Sequence, residues 1–246
     1  MDAYLIEMME GKNPNFDQES LELCCLDLFK AGAETSSTTL LWCILYMVSY
    51  PVVQENCYRE VVAVTGDSKP DRSHALPYCQ AVIQEVQRLA CVAPQTMPHR
   101  VTRDVTLEGY DVPQDSMVFT NLLLFMNDPH YWGDPDKFRP ERFLENVEGE
   151  TRLVKKDLFV PYGMGRRVCM GESLAKDTLF IFFTNLVKNL RFSNPVHQPK
   201  PSPDNFTEAF TIIPHPYYVT ITTRTWEDSL VRERHQLREV FKDNRY

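Results

Sequence analysis

The sequence predicts a mainly α-helical fold that carries small β-sheets. Apolar residues recur at helical spacing over residues 17–50 and 172–190. Pro51 and Pro77 each stand where a new helix would begin, and residues 99–120 alternate between apolar and polar side chains. A chain of 246 residues, 43% hydrophobic and 24% charged, is typical of a soluble globular protein and is long enough to bury a substantial core.

The first predicted helix ends near Gly11 and is followed by a short loop. A long helix then begins, with Asp17 or Ser20 as its cap, and runs to about Tyr50. A polar stretch at residues 31–39 interrupts the apolar pattern of this helix, because small and β-branched polar residues are poor helix formers. A polar patch in an apolar helix usually has a functional or structural reason.

Two further helices are predicted over residues 51–64 and 78–89, and a strongly apolar helix over residues 172–190. The turn residues within 99–120 divide that segment into short strands.

The remaining segments are predicted from their composition. Residues 127–140 should be irregular, and residues 145–157 should form a polar surface loop with a short helix. A glycine-bearing loop covers residues 159–171, and four prolines make residues 195–203 a loop. Residues 209–223 are predicted to form a final hairpin.

Composition excludes several classes of protein. The chain has 34 acidic and 26 basic residues, a net charge of −8, so a basic nucleic-acid-binding domain is not expected. No stretch approaches the ~20 apolar residues that span a bilayer, and residues 40–48 fit a buried helix better. The N-terminal residues lack the basic and apolar regions of a signal peptide.

The cysteine pattern argues against a disulfide framework and a zinc ribbon. Seven cysteines are an odd number, and none is arranged as Cys-x-x-Cys. A reducing compartment is therefore expected, and any functional cysteine must be identified by its neighbours.

Cys169 has the most distinctive neighbours. Three of the nine glycines of the chain lie within residues 163–171, Arg166 and Arg167 precede the cysteine, and a helix follows it. Positive charge and a helix N-terminus both favour the thiolate that a metal requires, and free backbone N–H groups in the loop could bond the sulfur. The alternative is a structural cysteine in a glycine-rich turn.

Charged residues elsewhere fit a second pattern. Glu85 and Arg88 stand three residues apart and so share one helical face, which alone would suggest a solvated ion pair. Arg142, in the segment Pro-Glu-Arg-Phe, can complete a trio of charges.

The polar stretch of the long helix gives a third pattern. Gly32 and Ala33 would leave room beside a metal, Glu34 could relay protons, and Thr35 could bond its own helix or orient water. Alone, this stretch would be interpreted as a polar kink in a surface helix.

Together these segments resemble the cytochrome P450 family. The match to its haem-binding loop is Gly-x-Arg-x-Cys-x-Gly at 165, 167, 169 and 171, with Tyr162 where the family usually has phenylalanine. The chain looks most like the microsomal, animal-type branch, with insect members close to it. The resemblance implies the C-terminal portion of the cytochrome P450 fold, without its N-terminal helices and membrane anchor. Residues 1–223 would form a partial haem-binding domain, and residues 224–246 a charged amphipathic tail that either docks or is solvated.

The resemblance also implies roles for individual residues. Cys169 would be the axial thiolate of haem b, which favours O–O cleavage, and Glu34 and Thr35 would deliver protons. A buried ionic network behind the haem would consist of Glu85, Arg88 and Arg142. Residues expected to contact the haem are His99, Arg100, Tyr162, Gly163, Gly165, Arg167 and Gly171. Residues expected to face the substrate are Leu28, Ala31, Ala93, Thr96, Glu208, Ala209 and Phe210.

The implied activity is a monooxygenase that inserts one atom of O₂ into an apolar organic substrate. Electrons would come from NADPH through NADPH–cytochrome P450 reductase, and a full-length relative would lie on the cytoplasmic face of the endoplasmic reticulum membrane, while this chain alone would be cytoplasmic or unassigned. The alternative is a truncated, inactive fragment or isoform with at most a protein-interaction role, which predicts poor haem retention and an exposed apolar face. A thiol enzyme or zinc protein is disfavoured, since no second cysteine lies near Cys169.

Overall fold

The computed structural model describes residues 2–11 and 13–224. Over these residues the chain forms seven α-helices and ten short strands, together with two 3₁₀ turns. The helices are α1 Asp2–Glu10, α2 Gln18–Ser49, α3 Pro51–Thr65, α4 Pro77–Ala90, α5 Leu122–Asn127, α6 Pro129–Trp132 and α7 Glu172–Asn189. The strands are β1 His99–Arg100, β2 Val105–Leu107, β3 Tyr110–Val112, β4 Met117–Val118, β5 Leu144–Val147, β6 Glu150–Leu153, β7 Leu190–Ser193, β8 Phe206–Glu208, β9 Ile212–Pro214 and β10 Thr220–Thr223. The predicted class, mainly α with small β-sheets, is confirmed.

Helix α2 is continuous over Gln18–Ser49, so the predicted long helix is confirmed, and the polar stretch within it does not break the helix. Of the two candidate caps, Asp17 is the one used: its carboxylate accepts from the backbone N–H of Ser20 at 2.7 Å. The hydroxyls of Thr35, Ser37 and Thr39 each donate to the carbonyl four residues earlier, at 2.7–2.8 Å. These side chains satisfy their polar groups within the helix, which lets it pass through the polar stretch.

The hydrophobic core lies between four helices. The C-terminal half of α2 packs against α3, α4 and α7. The residues of this core include the fully buried Met47, Val61, Val86 and Phe183. The N-terminal half of α2 contributes little to this core, because apolar residues of that half, such as Phe29, are exposed. The core therefore supports the inner half of α2 and leaves the polar stretch at its edge.

Side chains from neighbouring helices complete the ends of α3 and α4. The carboxylate of Glu60 accepts from the N–H groups of Tyr78 and Cys79, both at 2.8 Å, at the start of α4. The ammonium of Lys188 donates to the hydroxyl of Thr65 at 2.9 Å and to the carbonyl of Gly66 at 2.7 Å. Helix ends leave unpaired backbone groups, so these contacts fix α4 and α3 relative to their neighbours.

The strands form five two-stranded antiparallel sheets over the described residues. The sheet of β5 and β6 shows that the prediction of a loop and short helix at residues 145–157 is wrong. Glu148 and Gly149 turn this hairpin with φ values of 54° and 87°, and Val147 pairs with Glu150. A two-residue turn with both φ angles positive matches the twist of the strands.

The predicted single hairpin at residues 209–223 is also wrong. Strand β9 pairs with β8 instead, and β10 pairs with β7, with Ile221 opposite Phe192. The side-chain amide of Gln54 accepts from the Phe192 N–H at 2.8 Å and donates to its carbonyl at 2.9 Å, like a further strand. The segment predicted to be irregular, residues 127–140, contains the one-turn helix α6.

No single helix of the described residues is both long and apolar enough to cross a membrane. The pair α2 and α3 passes this test together, by length and composition only, and is bent by 110°. Residues 225–246 lie outside the described part of the chain, so the predicted amphipathic face of Trp226, Leu230, Leu237 and Phe241 stays a prediction.

Candidate functional site

The cysteine loop, residues 159–171, is closed by its own backbone. The N–H of Cys169 donates to the carbonyl of Tyr162 at 2.9 Å, and a 3₁₀ turn occupies Gly165–Arg167. Gly163 and Gly165 have φ values of 76° and 74°. Because this left-handed region favours glycine, these two residues allow the backbone of the loop to turn tightly.

The thiol of Cys169 is exposed at the end of this loop. A Cβ atom at Gly171 would lie 3.9 Å from the sulfur, an ordinary van der Waals distance, so Gly171 is in contact range of the thiol. Helix α7 begins at the next residue, and Arg166 and Arg167 are exposed nearby. The thiol thus combines access with flanking positive charge and a helix N-terminus.

The other six cysteines lie elsewhere. Four of them are buried, and burial raises the pKa of Cys91 to about 12. The remaining two, Cys24 and Cys25, lie on the outer half of α2 with no glycine loop beside them. All seven cysteines are free.

A buried ionic network lies beside the loop, on α4. Glu85 and Arg88 are fully buried and form two hydrogen bonds, from Nε at 2.8 Å and from Nη2 at 2.9 Å. The Nε of Arg142 donates to the same carboxylate at 2.9 Å, as does the backbone N–H of Arg139. The predicted trio of charges is therefore brought together, with Glu85 as the acceptor that both guanidinium groups share.

The outer face of this network is completed by residues that the sequence did not indicate. The guanidinium carbons of Arg88 and Arg142 lie 5.1 Å and 5.7 Å from the ring centroid of Trp132. Burial opposes the charge of Asp134, yet the hydrogen bond from Arg142 and the charge of Arg139 together lower the pKa of this carboxyl. The guanidinium groups of both Arg88 and Arg142 have acidic and carbonyl acceptors, as a stable buried charge requires.

Tyr162 connects the loop to α4. Its hydroxyl accepts from the side-chain amide of Gln87 at 2.8 Å. Burial is the main cause that raises the pKa of Tyr162 to about 12; the neighbouring Glu172 also raises it, and the hydrogen bond from Gln87 opposes the rise. The phenol is therefore neutral at physiological pH.

The predicted proton-delivering residues lie on α2, and one of them, Glu34, contacts the residue that precedes β9. Thr35 donates to the Ala31 carbonyl at 2.7 Å, and the carboxylate of Glu34 accepts from the hydroxyl of Thr211 at 2.9 Å. Thr211 is buried and precedes β9, whose residue Ile212 is held by the indole N–H of Trp42 at 3.1 Å. Glu34 is thus tied to the segment that includes the predicted substrate-facing residues.

Some of the predicted substrate-facing residues share a cavity. Glu208 and Ala209 line a cavity of about 250 Å³, together with Pro94 and Leu123, and Pro94 directly follows Ala93. Ala31 and Leu28 are exposed on the outer half of α2, and Phe210 is exposed beside the cavity. Thr96 uses its hydroxyl to accept from the Thr120 N–H at 3.0 Å.

His99 and Arg100 are exposed on β1, away from the buried network. Arg100 pairs with Asp115, its Nε lying 2.7 Å from the carboxylate. The geometry therefore places the cation of Arg100 against a protein carboxylate, while the contacts of the described residues do not assign a partner to His99.

The donor set at the site fits a haem better than a bare metal ion. Over the described residues, no group of three or more histidine, cysteine, aspartate or glutamate side chains is arranged to hold a metal. An iron bound through Cys169 would therefore take its other ligands from a group that brings its own, as a porphyrin does. The sulfur of Cys169 is exposed and therefore accessible to such a group.

Sequence reasoning missed several residues of the site. Gln87 lies between Glu85 and Arg88, so its position one residue from a charge motif was a usable signal. Thr211, Trp132 and Asp134 had none, because their contacts to Glu34 and Arg142 depend on the tertiary fold.

Known proteins of one family are similar to this chain in sequence. The family model described as "Cytochrome P450" matches residues 1–221. The chain is 39% identical over 234 residues to human "Cytochrome P450 2U1", covering 91% of this chain and 42% of that protein. It is 44% identical over 201 residues to human "Cytochrome P450 2J2", covering 79% and 39%, respectively. The resemblance to the animal branch of this family is confirmed.

Solved structures of cytochromes P450 are also similar to this chain. A zebrafish cytochrome P450 determined with abiraterone matches with a TM-score of 0.80 and 35% identity, over 91% of this chain and 52% of that one. A second zebrafish structure, with progesterone, gives 0.79 and 36%, over 91% and 50%. The chain spans about half the length of these neighbours and less than half of the curated relatives it matches.

Proposed function

The chain belongs to the cytochrome P450 family, and from that membership we propose that it is the iron-binding portion of a haem-thiolate monooxygenase, with Cys169 as the axial ligand of haem b. The observation that carries this proposal is the exposed Cys169 thiol, held in a closed glycine loop at the start of α7. When bound, the haem would supply activation of O₂, favoured by electron donation from the thiolate. The interpretation of residues 1–223 as one partial haem-binding domain belongs to the same proposal.

The residues around the loop would bind and orient the haem. Glycines 163, 165 and 171 would let its flat face approach the backbone, and Tyr162 would pack beside the sulfur. Arg167 and His99 would pair with the carboxylates of haem by charge-assisted hydrogen bonds. Arg100 is a weaker candidate for such a contact, because it already pairs with Asp115.

Glu34 and Thr35 would hold and move protons at their side-chain oxygens. The Glu34 carboxylate is the acidic group of the polar stretch, and its bond from Thr211 fixes one oxygen while the other stays free to exchange a proton with water. The Thr35 hydroxyl donates to Ala31, so its lone pairs can accept from a water molecule.

The substrate would be an apolar organic molecule. The predicted substrate-facing positions are mostly small or apolar, and Ala209 lines a cavity beside Pro94. The zebrafish neighbours were determined with abiraterone and with progesterone, which supports an apolar ligand. Electrons would come from NADPH through NADPH–cytochrome P450 reductase, at the cytoplasmic face of the endoplasmic reticulum membrane for a full-length relative.

A second proposal is that this chain alone is catalytically silent and at most interacts with other proteins. Its support is the row of exposed apolar side chains on α1 and the outer half of α2. Met9 is 84% exposed and Phe29 is 73% exposed, and Leu23 and Leu26 are each more than half exposed. Apolar surface of this kind marks interaction sites or a tendency to aggregate.

Haem titration of the 246-residue chain tests both proposals. We expect the chain to bind haem b at a 1:1 ratio, and Cys169→Ala to lose the spectrum of a thiolate-ligated haem. Cys24→Ala is the matched control, since it removes an exposed cysteine on α2 and should leave the spectrum unchanged. A folded chain that takes up no haem would overturn the first proposal and favour the second. A Cys169→Ala variant that keeps the thiolate spectrum would overturn the ligand assignment.

A further inference from the structure

Two contacts of Tyr162 meet at the cysteine loop. Its hydroxyl accepts from Gln87 on α4 at 2.8 Å, and its carbonyl accepts from the N–H of Cys169 at 2.9 Å. One residue therefore joins α4 to the backbone of the cysteine that carries the thiol.

The α4 side of this connection is buried. Gln87 is 8% exposed and lies between Glu85 and Arg88, which are both fully buried and bonded to each other. A buried amide that lost its partner would be costly, which favours the bond to Tyr162 in the folded chain.

The opposite side of Tyr162 faces α7. The ammonium of Lys176 lies 5.6 Å from the centroid of the Tyr162 ring and pairs with Glu172 at 2.5 Å. The ring is therefore held between α4 and the first two turns of the helix that follows the cysteine. Tyr162 therefore contacts residues on both sides of Cys169 in the sequence, Gln87 before it and Lys176 after it.

We propose that Gln87 and Tyr162 are positioning residues for Cys169: their hydrogen bond fixes the cysteine loop against α4 and so fixes the place of the thiol. The tyrosine hydroxyl gives this chain a tie to α4 that a phenylalanine at the same position cannot form. The functional part of this inference rests on the proposed role of Cys169 as the haem ligand, whereas the restraint on the loop does not.

Hydrogen exchange of the Cys169 amide in the full chain tests the restraint directly, without haem. Tyr162→Phe removes one oxygen atom, and Gln87→Leu removes the donor while keeping a good helix former. A hydrogen bond of ordinary net strength is equivalent to about a fivefold change, so each variant should raise the exchange rate of this amide by about that factor. The double variant should raise it no further than a single one, since both changes break the same bond.

Tyr217→Phe is the matched control. The hydroxyl of Tyr217 donates to the Leu41 carbonyl at 2.7 Å on α2, away from the cysteine loop. This variant should leave the exchange of the Cys169 amide unchanged. Equal exchange in Tyr162→Phe and the original chain, or effects of the two single changes that multiply in the double variant, would overturn the proposal. If Tyr162→Phe does not fold, Gln87→Leu decides: an exchange rate about fivefold higher supports the proposal, and an unchanged rate overturns it.

The haem-bound chain supplies a second readout that loss of stability alone does not move. At a temperature where every variant is folded, Tyr162→Phe and Gln87→Leu should shift part of the reduced carbon monoxide band away from the position typical of thiolate ligation, and Tyr217→Phe should not. An unshifted band in both variants would overturn the positioning role. If the original chain shows no thiolate band while the exchange result holds, the proposed function fails and the restraint on the loop stands.

Discussion

Replacing Glu85 with glutamine tests the buried network that supports the site. The carboxylate accepts from Arg88, from the Arg142 side chain and from the Arg139 backbone, at 2.8–2.9 Å. Glutamine has the same shape but no charge, and its amide group places donors where the guanidinium groups also donate. Two buried cations would then lack their shared anion.

The size of the effect follows from burial. Glu85 and Arg88 have fully buried side chains, and that of Arg142 is 4% exposed, so solvent screens little of the interaction. Breaking a buried ion pair by removing one partner costs about 3–5 kcal/mol. Since a folded domain is stable by about 5–15 kcal/mol, Glu85→Gln should remove a large share of the free energy of unfolding.

Urea unfolding followed by far-ultraviolet circular dichroism measures this difference. Glu150→Gln is the matched control, because Glu150 pairs with Arg152 at 2.6 Å but the two side chains are 70% and 58% exposed. An exposed pair contributes about 0–1 kcal/mol, so the control should unfold close to the original midpoint. Equal midpoints for Glu85→Gln and Glu150→Gln would refute the argument that burial makes this network stabilising.

Three further results are expected. Thr211→Val removes the hydroxyl that donates to Glu34, so product formation should fall while more of the electrons supplied appear as hydrogen peroxide. An unchanged ratio of product formed to electrons consumed would show that this contact does not affect proton delivery. Burial raises the pKa of both Cys91 and Tyr78 to about 12, above the values of these groups in the unfolded chain. The free energy of unfolding should therefore be intact at neutral pH and fall as the pH rises from about 8.5 towards 12. An increase in the free energy of unfolding over that range, measured by urea titration, would contradict this. Asp17→Ala removes the cap of α2 and should lower the thermal midpoint, whereas Asp17→Asn should largely preserve it.

Local signals in the sequence were sufficient for the main helices and the residues of the buried network. Pro51 and Pro77 begin α3 and α4 as predicted, and Asp17 caps α2. Glu85 and Arg88 share a helical face because of their spacing, which any helix imposes. These features depend on neighbours within a few residues, which is why the sequence alone reveals them.

The errors arose where strands pair through the tertiary fold or through an unusual turn. The hairpin of β5 and β6 turns at Glu148-Gly149, whereas the strongest sequence signal for such a turn is Asn-Gly or Asp-Gly. Strand β10 pairs with β7, some thirty residues earlier in the sequence, and Gln54 of α3 completes that sheet. Pairing over such distances is set by packing and leaves no local periodicity.

The contacts that tie the candidate site together were also invisible in the sequence. Gln87 to Tyr162 and Thr211 to Glu34 each join residues at least 75 positions apart. A polar side chain next to a motif has many potential partners, and only the fold selects one. The motifs therefore indicated the chemistry of the site, and the structure adds how its parts are held.

The central claim, that Cys169 is the thiolate ligand of a haem, is tested most directly by the reduced carbon monoxide difference spectrum of the haem-loaded 246-residue chain. We expect a band at the position typical of thiolate-ligated haem, which Cys169→Ala abolishes and Cys24→Ala retains. A stoichiometric haem complex of the original chain without that band, or a Cys169→Ala variant that keeps it, would contradict the claim.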